Sequence, residues 1–147
     1  MKKHFLFFML LAGSMIAFTG CKKDDKDDAS IEGKWQLTKY VDYEYENGKL
    51  VDTDEEDASN SEWIVTLNIS GGKWSTTETD GTQEYTSQGT FVRSGNTVTV
   101  KEDDDSGTDV YTIKTITDNT LVLTSEYSEV EGGVTYKEVS EETYKRL

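Results

Sequence analysis

Proline is absent from this sequence, histidine occurs once, at position 4, and cysteine once, at position 21. Each scarcity excludes something. Beyond residue 20 there is no imidazole, so Ser-His-Asp and Cys-His nucleophilic catalysis lack their general base. The usual zinc sites need histidine or cysteine and fall on the same ground. One cysteine cannot close a disulfide within a chain, so stability must come from packing. With no proline, no strand loses a backbone donor to one. Positive charge is also scarce: 15 Lys and Arg stand against 29 Asp and Glu, a formal net charge of −14. Such a chain repels nucleic acid and anionic lipid, and no basic patch offsets this.

What is present begins with a leader. Lys2 and Lys3 precede an apolar stretch from Phe5 to Phe18, broken only by Gly13 and Ser14. Spanning a bilayer takes about 20 apolar residues, so the stretch is too short. A charged start, a short apolar core and small residues at its end read as a secretory signal over residues 1–20. Thr19-Gly20-Cys21 resembles the bacterial lipobox. That resemblance implies that Cys21 is lipidated and becomes the first residue of the mature protein. A diacylglyceryl group with a further acyl chain supplies more than the single chain that holds only marginally. Residues 21–30 include Lys22-Lys23-Asp24-Asp25-Lys26-Asp27-Asp28, too charged to bury apolar surface and expected to be a disordered spacer. The run resembles the acidic export tag of Bacteroidota-type surface lipoproteins. Lys22 after the cysteine argues against inner-membrane retention. The implied location is the cell envelope, as an outer-membrane lipoprotein facing outward. Loss of Lys2 and Lys3 with the leader makes the charge two units more negative.

Residues 31–147 are long enough for one domain with its own core. Alternation with period two dominates, and no helical period is apparent. Trp63, Val65, Leu67 and Ile69 line one face of a strand; Trp35, Leu37, Val41, Tyr43 and Tyr45 line one face of another. Lys39 interrupts that second face and marks a bulge or a rim position. Asn47-Gly48, Gly71-Gly72, Asp80-Gly81, Ser94-Gly95-Asn96, Asp118-Asn119 and Gly132-Gly133 separate the runs. These residues tolerate the positive φ of hairpin turns. Strands are predicted near 33–46, 62–70, 73–79, 83–93, 97–102, 109–117, 120–130 and 134–145. Two polar loops are expected, Asp52–Ser61 and Asp103–Gly107, the first preceded by a short strand at Lys49–Val51. Eight strands joined by tight turns predict an all-β, antiparallel, up-and-down barrel, which leaves no exposed edge.

Gly33-Lys34-Trp35 opens the first strand and looks like the Gly-x-Trp signature of lipocalins. Gly89-Thr90-Phe91, Gly95-Asn96-Thr97-Val98-Thr99-Val100, Tyr111-Thr112-Ile113-Lys114 and Asp118-Asn119-Thr120-Leu121-Val122-Leu123 follow in order. Together they resemble the small lipocalin-like domains of bacterial lipoproteins, over most of residues 31–147. The resemblance implies a basic side chain stacked across the signature tryptophan at the closed end of the barrel. Arg146, at the end of the last strand, is the candidate over Trp35, worth about 0.5–2 kcal/mol as a cation–π contact. Gly33, Trp35 and Arg146 are thus expected to be structural.

Two functions follow from different premises. An eight-stranded barrel either fills itself with side chains or holds one small ligand. On the binding reading, a small apolar or amphipathic molecule sits inside, and the lining candidates are Tyr43, Trp63, Trp74, Tyr85, Ser87 and Tyr111. Thr76, Ser87 and Gly89 are small enough to leave space near one mouth. On the other reading the barrel is solid, and the domain is a structural or interaction module of the envelope working through its loops. The acidic loops offer hard oxygen donors of the kind calcium takes. An EF-hand needs glycine at its sixth position and glutamate at its twelfth. Counting from Asp52 gives Asp57 and Trp63, and from Asp103 gives Thr108 and Lys114, so neither fits. Paired carboxylates are the remaining route to an enzyme. The acids fall in loops and on outward faces, and no pair stands out by spacing. No catalytic residue, metal or cofactor is expected; the expected partners are the membrane, through Cys21, and a small apolar ligand.

Overall fold

Strict alternation and glycine-rich turns produce nine strands in the computed structural model, which describes residues 29–147. The leader, Cys21 and the charged run Lys22–Asp28 lie outside the described residues. The strands are β1 (Gly33–Glu46), β2 (Lys49–Glu56), β3 (Ile64–Ser70), β4 (Lys73–Thr79), β5 (Glu84–Ser94), β6 (Thr97–Glu102), β7 (Asp109–Ile116), β8 (Thr120–Glu131) and β9 (Val134–Arg146). One 3-10 turn, Ala58–Asn60, stands between β2 and β3, and the Asp57 carboxylate caps it by accepting from the Ser59 N–H.

Every pairing is antiparallel. Strands β3 to β9 pair in sequence, and β1 pairs with both β3 and β9, which closes an eight-stranded up-and-down barrel. Strand β2 is a ninth, outside the ring. It replaces the first half of the loop expected at Asp52–Ser61, since residues through Glu56 are strand. Acidic residues have low strand propensity, but a tight turn and an available edge override it. The turn is Asn47-Gly48, where both residues take positive φ (49° and 78°), as a two-residue hairpin requires.

One edge of β1 is shared. Gly33–Gln36 pair with β3, whereas Tyr40–Glu46 pair with β2. The other edge runs along β9 throughout, with a register shift between Leu37 and Lys39. That irregularity is the one Lys39 signals in the sequence. Its effect on the rest of the strand was not anticipated. One extra residue inverts parity, so every later side chain changes face. Val41, Tyr43 and Tyr45 therefore do not continue the face of Trp35 and Leu37. Tyr40, Asp42 and Glu44 do.

The core lies at one end. Ile31, Trp35, Leu67, Ile69, Val98, Ile113, Leu121, Leu123 and Tyr144 form one buried cluster. Trp35 is 0% exposed. At the opposite end β8, β9, β1 and β2 run on past their neighbours as a four-stranded apron. Residues paired across a ladder share a face. Register puts Glu142, Tyr40 and Glu56 in one row on the barrel-interior face. Ser140, Asp42 and Asp54 form the next, and Glu138, Glu44 and Asp52 the third. That face is acidic from the mouth outward.

Candidate ligand-binding cavity

The closed end is built first, because it fixes the floor. The segment before β1 crosses beneath the barrel and buries Ile31. Trp35 Nε1–H donates to the Ile31 carbonyl at 2.9 Å, which satisfies the one polar atom of a fully buried ring. Arg146 Cζ lies 3.9 Å from the centroid of that ring. Its guanidinium donates to three carbonyls, those of Asp118 (2.5 Å), Glu32 (2.8 Å) and Ser30 (2.7 Å). Two belong to the segment before β1 and one to the β7–β8 turn, so one planar fork ties the floor segment, that turn and the last strand together. Gly33 sits beneath the fork. A Cβ there would collide with Arg146 Nη1, and the backbone φ of +141° suits glycine alone. Gly33, Trp35 and Arg146 thus meet at one point.

Above this floor is a cavity of about 410 Å³. Ile31, Leu67, Ile69, Val98, Leu123 and Trp74 give it apolar walls. Thr76 and Ser87 contribute small side chains at the same inward positions of β4 and β5, leaving the space that larger residues would fill. The residue Trp74 lines this wall, and its Nε1 is buried with no hydrogen-bond partner among the described residues. An unpaired buried donor costs about 1–3 kcal/mol and calls for an acceptor.

Toward the mouth the wall changes character. Moving up one strand at a time, the inward positions read Trp74-Thr76-Glu78 on β4 and Val98-Val100-Glu102 on β6. They read Ile113-Tyr111-Asp109 on β7 and Tyr144-Glu142 on β9. Four carboxylates line the cavity, which corrects the expectation that the acids sit only in loops and on outward faces. Glu142 is half-buried and accepts from the Tyr144 hydroxyl at 2.6 Å. Burial pushes its carboxyl above the usual glutamate range, and the charges of Asp42 and Glu78 push the same way, while the Tyr144 bond pulls it down. Burial also pushes the Tyr111 phenol up to about 12 and the Tyr144 phenol well above its ordinary value. Beside them, Tyr40 donates to Ser140 Oγ (3.2 Å), which donates to Asp42 (2.6 Å).

Of the lining candidates read from the sequence, Trp74, Ser87 and Tyr111 line the cavity. Tyr43, Trp63 and Tyr85 do not. Tyr43 is turned to the outer face by the irregularity at Leu37–Lys39. Trp63 precedes β3, is 45% exposed and is held at the rim by its N–H to Ser61 Oγ. Tyr85 follows the right parity but stands above the rim, 56% exposed, its hydroxyl on Gln83. Gly89 is small for another reason: a Cβ there would collide with the Lys101 backbone carbonyl across the β5–β6 ladder. The residues missed were Tyr40, Glu78, Glu102, Asp109, Glu142 and Tyr144. Inward parity carried to the ends of β4 and β9 would have flagged Glu78 and Glu142.

Comparison with known proteins adds three findings. The family described as "Lipocalin-like domain" matches residues 31–123. No curated protein matches the chain in sequence. Among solved structures, the chain resembles an uncharacterized protein from Bacteroides eggerthii at a TM-score of 0.52 and 13% identity, over 80% of this chain and 100% of that one. It also resembles a lipocalin-like protein from Bacteroides uniformis at a TM-score of 0.50 and 17% identity, over 79% of this chain and 97% of the other.

Proposed function

The chain belongs to the lipocalin-like domain family, and from that premise we propose that it is a carrier, holding one small apolar or amphipathic molecule in its barrel and tethered to the outer membrane through lipid on Cys21. The observation that carries the binding part is the cavity of about 410 Å³, with apolar walls and the unpaired donor Trp74 Nε1. Its size falls in the range of about 300–1,000 Å³ typical of small-molecule sites. The apolar floor supplies affinity at roughly 25 cal/mol per Å² of surface taken from water. The alternative, a filled barrel working only through its loops, calls for no such space.

The tether rests on Thr19-Gly20-Cys21 and on the charged run behind it. A lipid at Cys21 would keep the barrel near the membrane surface, where an apolar cargo is released or collected.

Native mass spectrometry tests the carrier. The closed barrel lies wholly within residues 29–147, so a chain from Lys22 to Leu147 retains all of it and needs no detergent. A reproducible added mass, lost on denaturation, is the expected result. A clean apo mass from both the native and a heterologous host would defeat the proposal. Metabolic labelling with a radioactive fatty acid tests the tether: label is expected in the intact chain and none in the Cys21→Ser chain.

A further inference from the structure

We propose that the molecule carried is an organic cation, with its apolar part on the cavity floor and a protonated amine or quaternary ammonium beside Glu142 and Glu78. The inference rests on the carrier reading and specifies its cargo.

Four observations converge. First, the cavity wall contains Glu78, Glu102, Asp109 and Glu142 and no lysine or arginine. Second, among the described residues none of these four is ion-paired. The ion pairs present are Lys39–Glu55, Lys114–Glu141 and Lys137–Glu126; register places five of these partners on the outer face of the sheet, and Lys114, at the irregularity of β7, is held by Glu141 on that face. Lysines that could have neutralised the cavity are spent outside it. Third, Glu142 is desolvated among like charges, and among the described residues one hydroxyl is its only hydrogen-bond partner. A buried carboxylate left without a counter-charge is costly, and a cation arriving with the ligand relieves that cost. Fourth, the acidic face continues from Glu142 through Asp42 and Glu44 onto the apron, so its field favours cations approaching the mouth and repels anions. A metal ion is a poorer occupant. Among the described residues no three of His, Cys, Asp and Glu are gathered to hold one. The carboxylates stand around the mouth rather than at a point, which suits a headgroup with carbon attached. The tyrosines there, Tyr40, Tyr111 and Tyr144, offer rings of the kind that attract such a cation.

The test compares three probes of equal chain length, each below its micelle concentration, by isothermal titration calorimetry on the Lys22–Leu147 chain at neutral pH and low salt. The probes are dodecyltrimethylammonium, dodecanoate and dodecanol. The expected result is at least about tenfold tighter binding of the cation than of either other probe. Glu142→Gln and Glu78→Gln, tested singly, should each weaken the cation severalfold and leave dodecanol unchanged. Asp54→Asn, on the apron, should change the cation less than about twofold. Equal affinity for all three probes would overturn the cation assignment and leave the carrier standing. An Asp54→Asn loss matching that of Glu142→Gln would mean general attraction to an acidic surface, and would also overturn it. No binding of any probe would defeat both, and the native mass measurement reports on the carrier separately.

Discussion

Replacing Arg146 by methionine removes three hydrogen bonds and a ring contact at once while keeping an apolar stem over Trp35. Hydrogen bonds from a charged donor are worth about 1.5–3 kcal/mol each, but this group is near the surface, so about 1 kcal/mol apiece is the better figure. The stacked guanidinium adds about 1 kcal/mol. The expected loss is therefore about 4 kcal/mol, a large share of the roughly 5–15 kcal/mol that holds a domain together. At about 4 °C per kcal/mol for a domain of this size, the thermal midpoint falls by about 15 °C. Arg146→Lys retains the charge but reaches fewer of the carbonyls of Ser30, Glu32 and Asp118, and should lose about half as much. The assay is urea and thermal unfolding of the Lys22–Leu147 chain, followed by far-ultraviolet circular dichroism and tryptophan fluorescence. A loss under about 1 kcal/mol for Arg146→Met would refute the reasoning, because it would mean that water serves the three carbonyls as well as the guanidinium does.

Gly33→Ala should cost about 2–3 kcal/mol, since it forces a strained φ and displaces the fork of Arg146; differential scanning calorimetry checks it. Gly89→Ala should part β5 from β6, read as faster amide exchange along that ladder, where Thr90 pairs with Lys101 and Val92 with Thr99. Glu142→Gln should stabilise the domain near neutral pH. The folded carboxyl titrates above the usual 4.5, so its contribution is full below that value and is lost as pH rises through the folded pKa. The advantage of the glutamine chain should thus vanish at acid pH in paired urea titrations. Absorbance titration to alkaline pH should show the Tyr111 and Tyr144 phenols still protonated after the exposed tyrosines have ionised, and releasing their protons only on unfolding.

The barrel was legible because its signals are local. Trp63-x-Val65-x-Leu67-x-Ile69 and the Gly/Asn turns specify strands and hairpins without reference to the rest of the chain, and tight turns leave few ways to order them. The closed end was legible from Gly33, Trp35 and the scarcity of arginine, which left Arg146 as the one basic residue of its kind near the C-terminus. The cavity was harder. Lys39 announced an irregularity, but whether it inverted the following face depended on how β9 paired beside it. That one residue decided Tyr40 over Tyr43. Glu142 looked like a solvated acid because the stretch around it, Ser140 to Thr143, is polar throughout. Only closure of β9 on β1 turns alternate members inward. Strand β2 was legible only at its start, Lys49–Val51, because the acids that follow, Asp52 and Asp54 to Glu56, have low strand propensity.

Among the described residues, strand β2 has a neighbour on one side only. Its free edge shows a row of backbone donors and acceptors, which is a template for another copy of the same strand. Barrel closure protects the ring strands where they pair on both sides; among the described residues it leaves open β2 and the part of β8 that runs past β7. The sequence of β2, Lys49-Leu-Val-Asp-Thr-Asp-Glu-Glu56, supplies a different protection. Two copies meeting in antiparallel register would bring eight carboxylates from Asp52, Asp54, Glu55 and Glu56 into one narrow ribbon. Like charges facing across strands oppose the pairing. The residues that made the rest of this strand unreadable are thus the ones that keep neighbouring molecules apart, and they do so only while salt is dilute enough for charge to be felt.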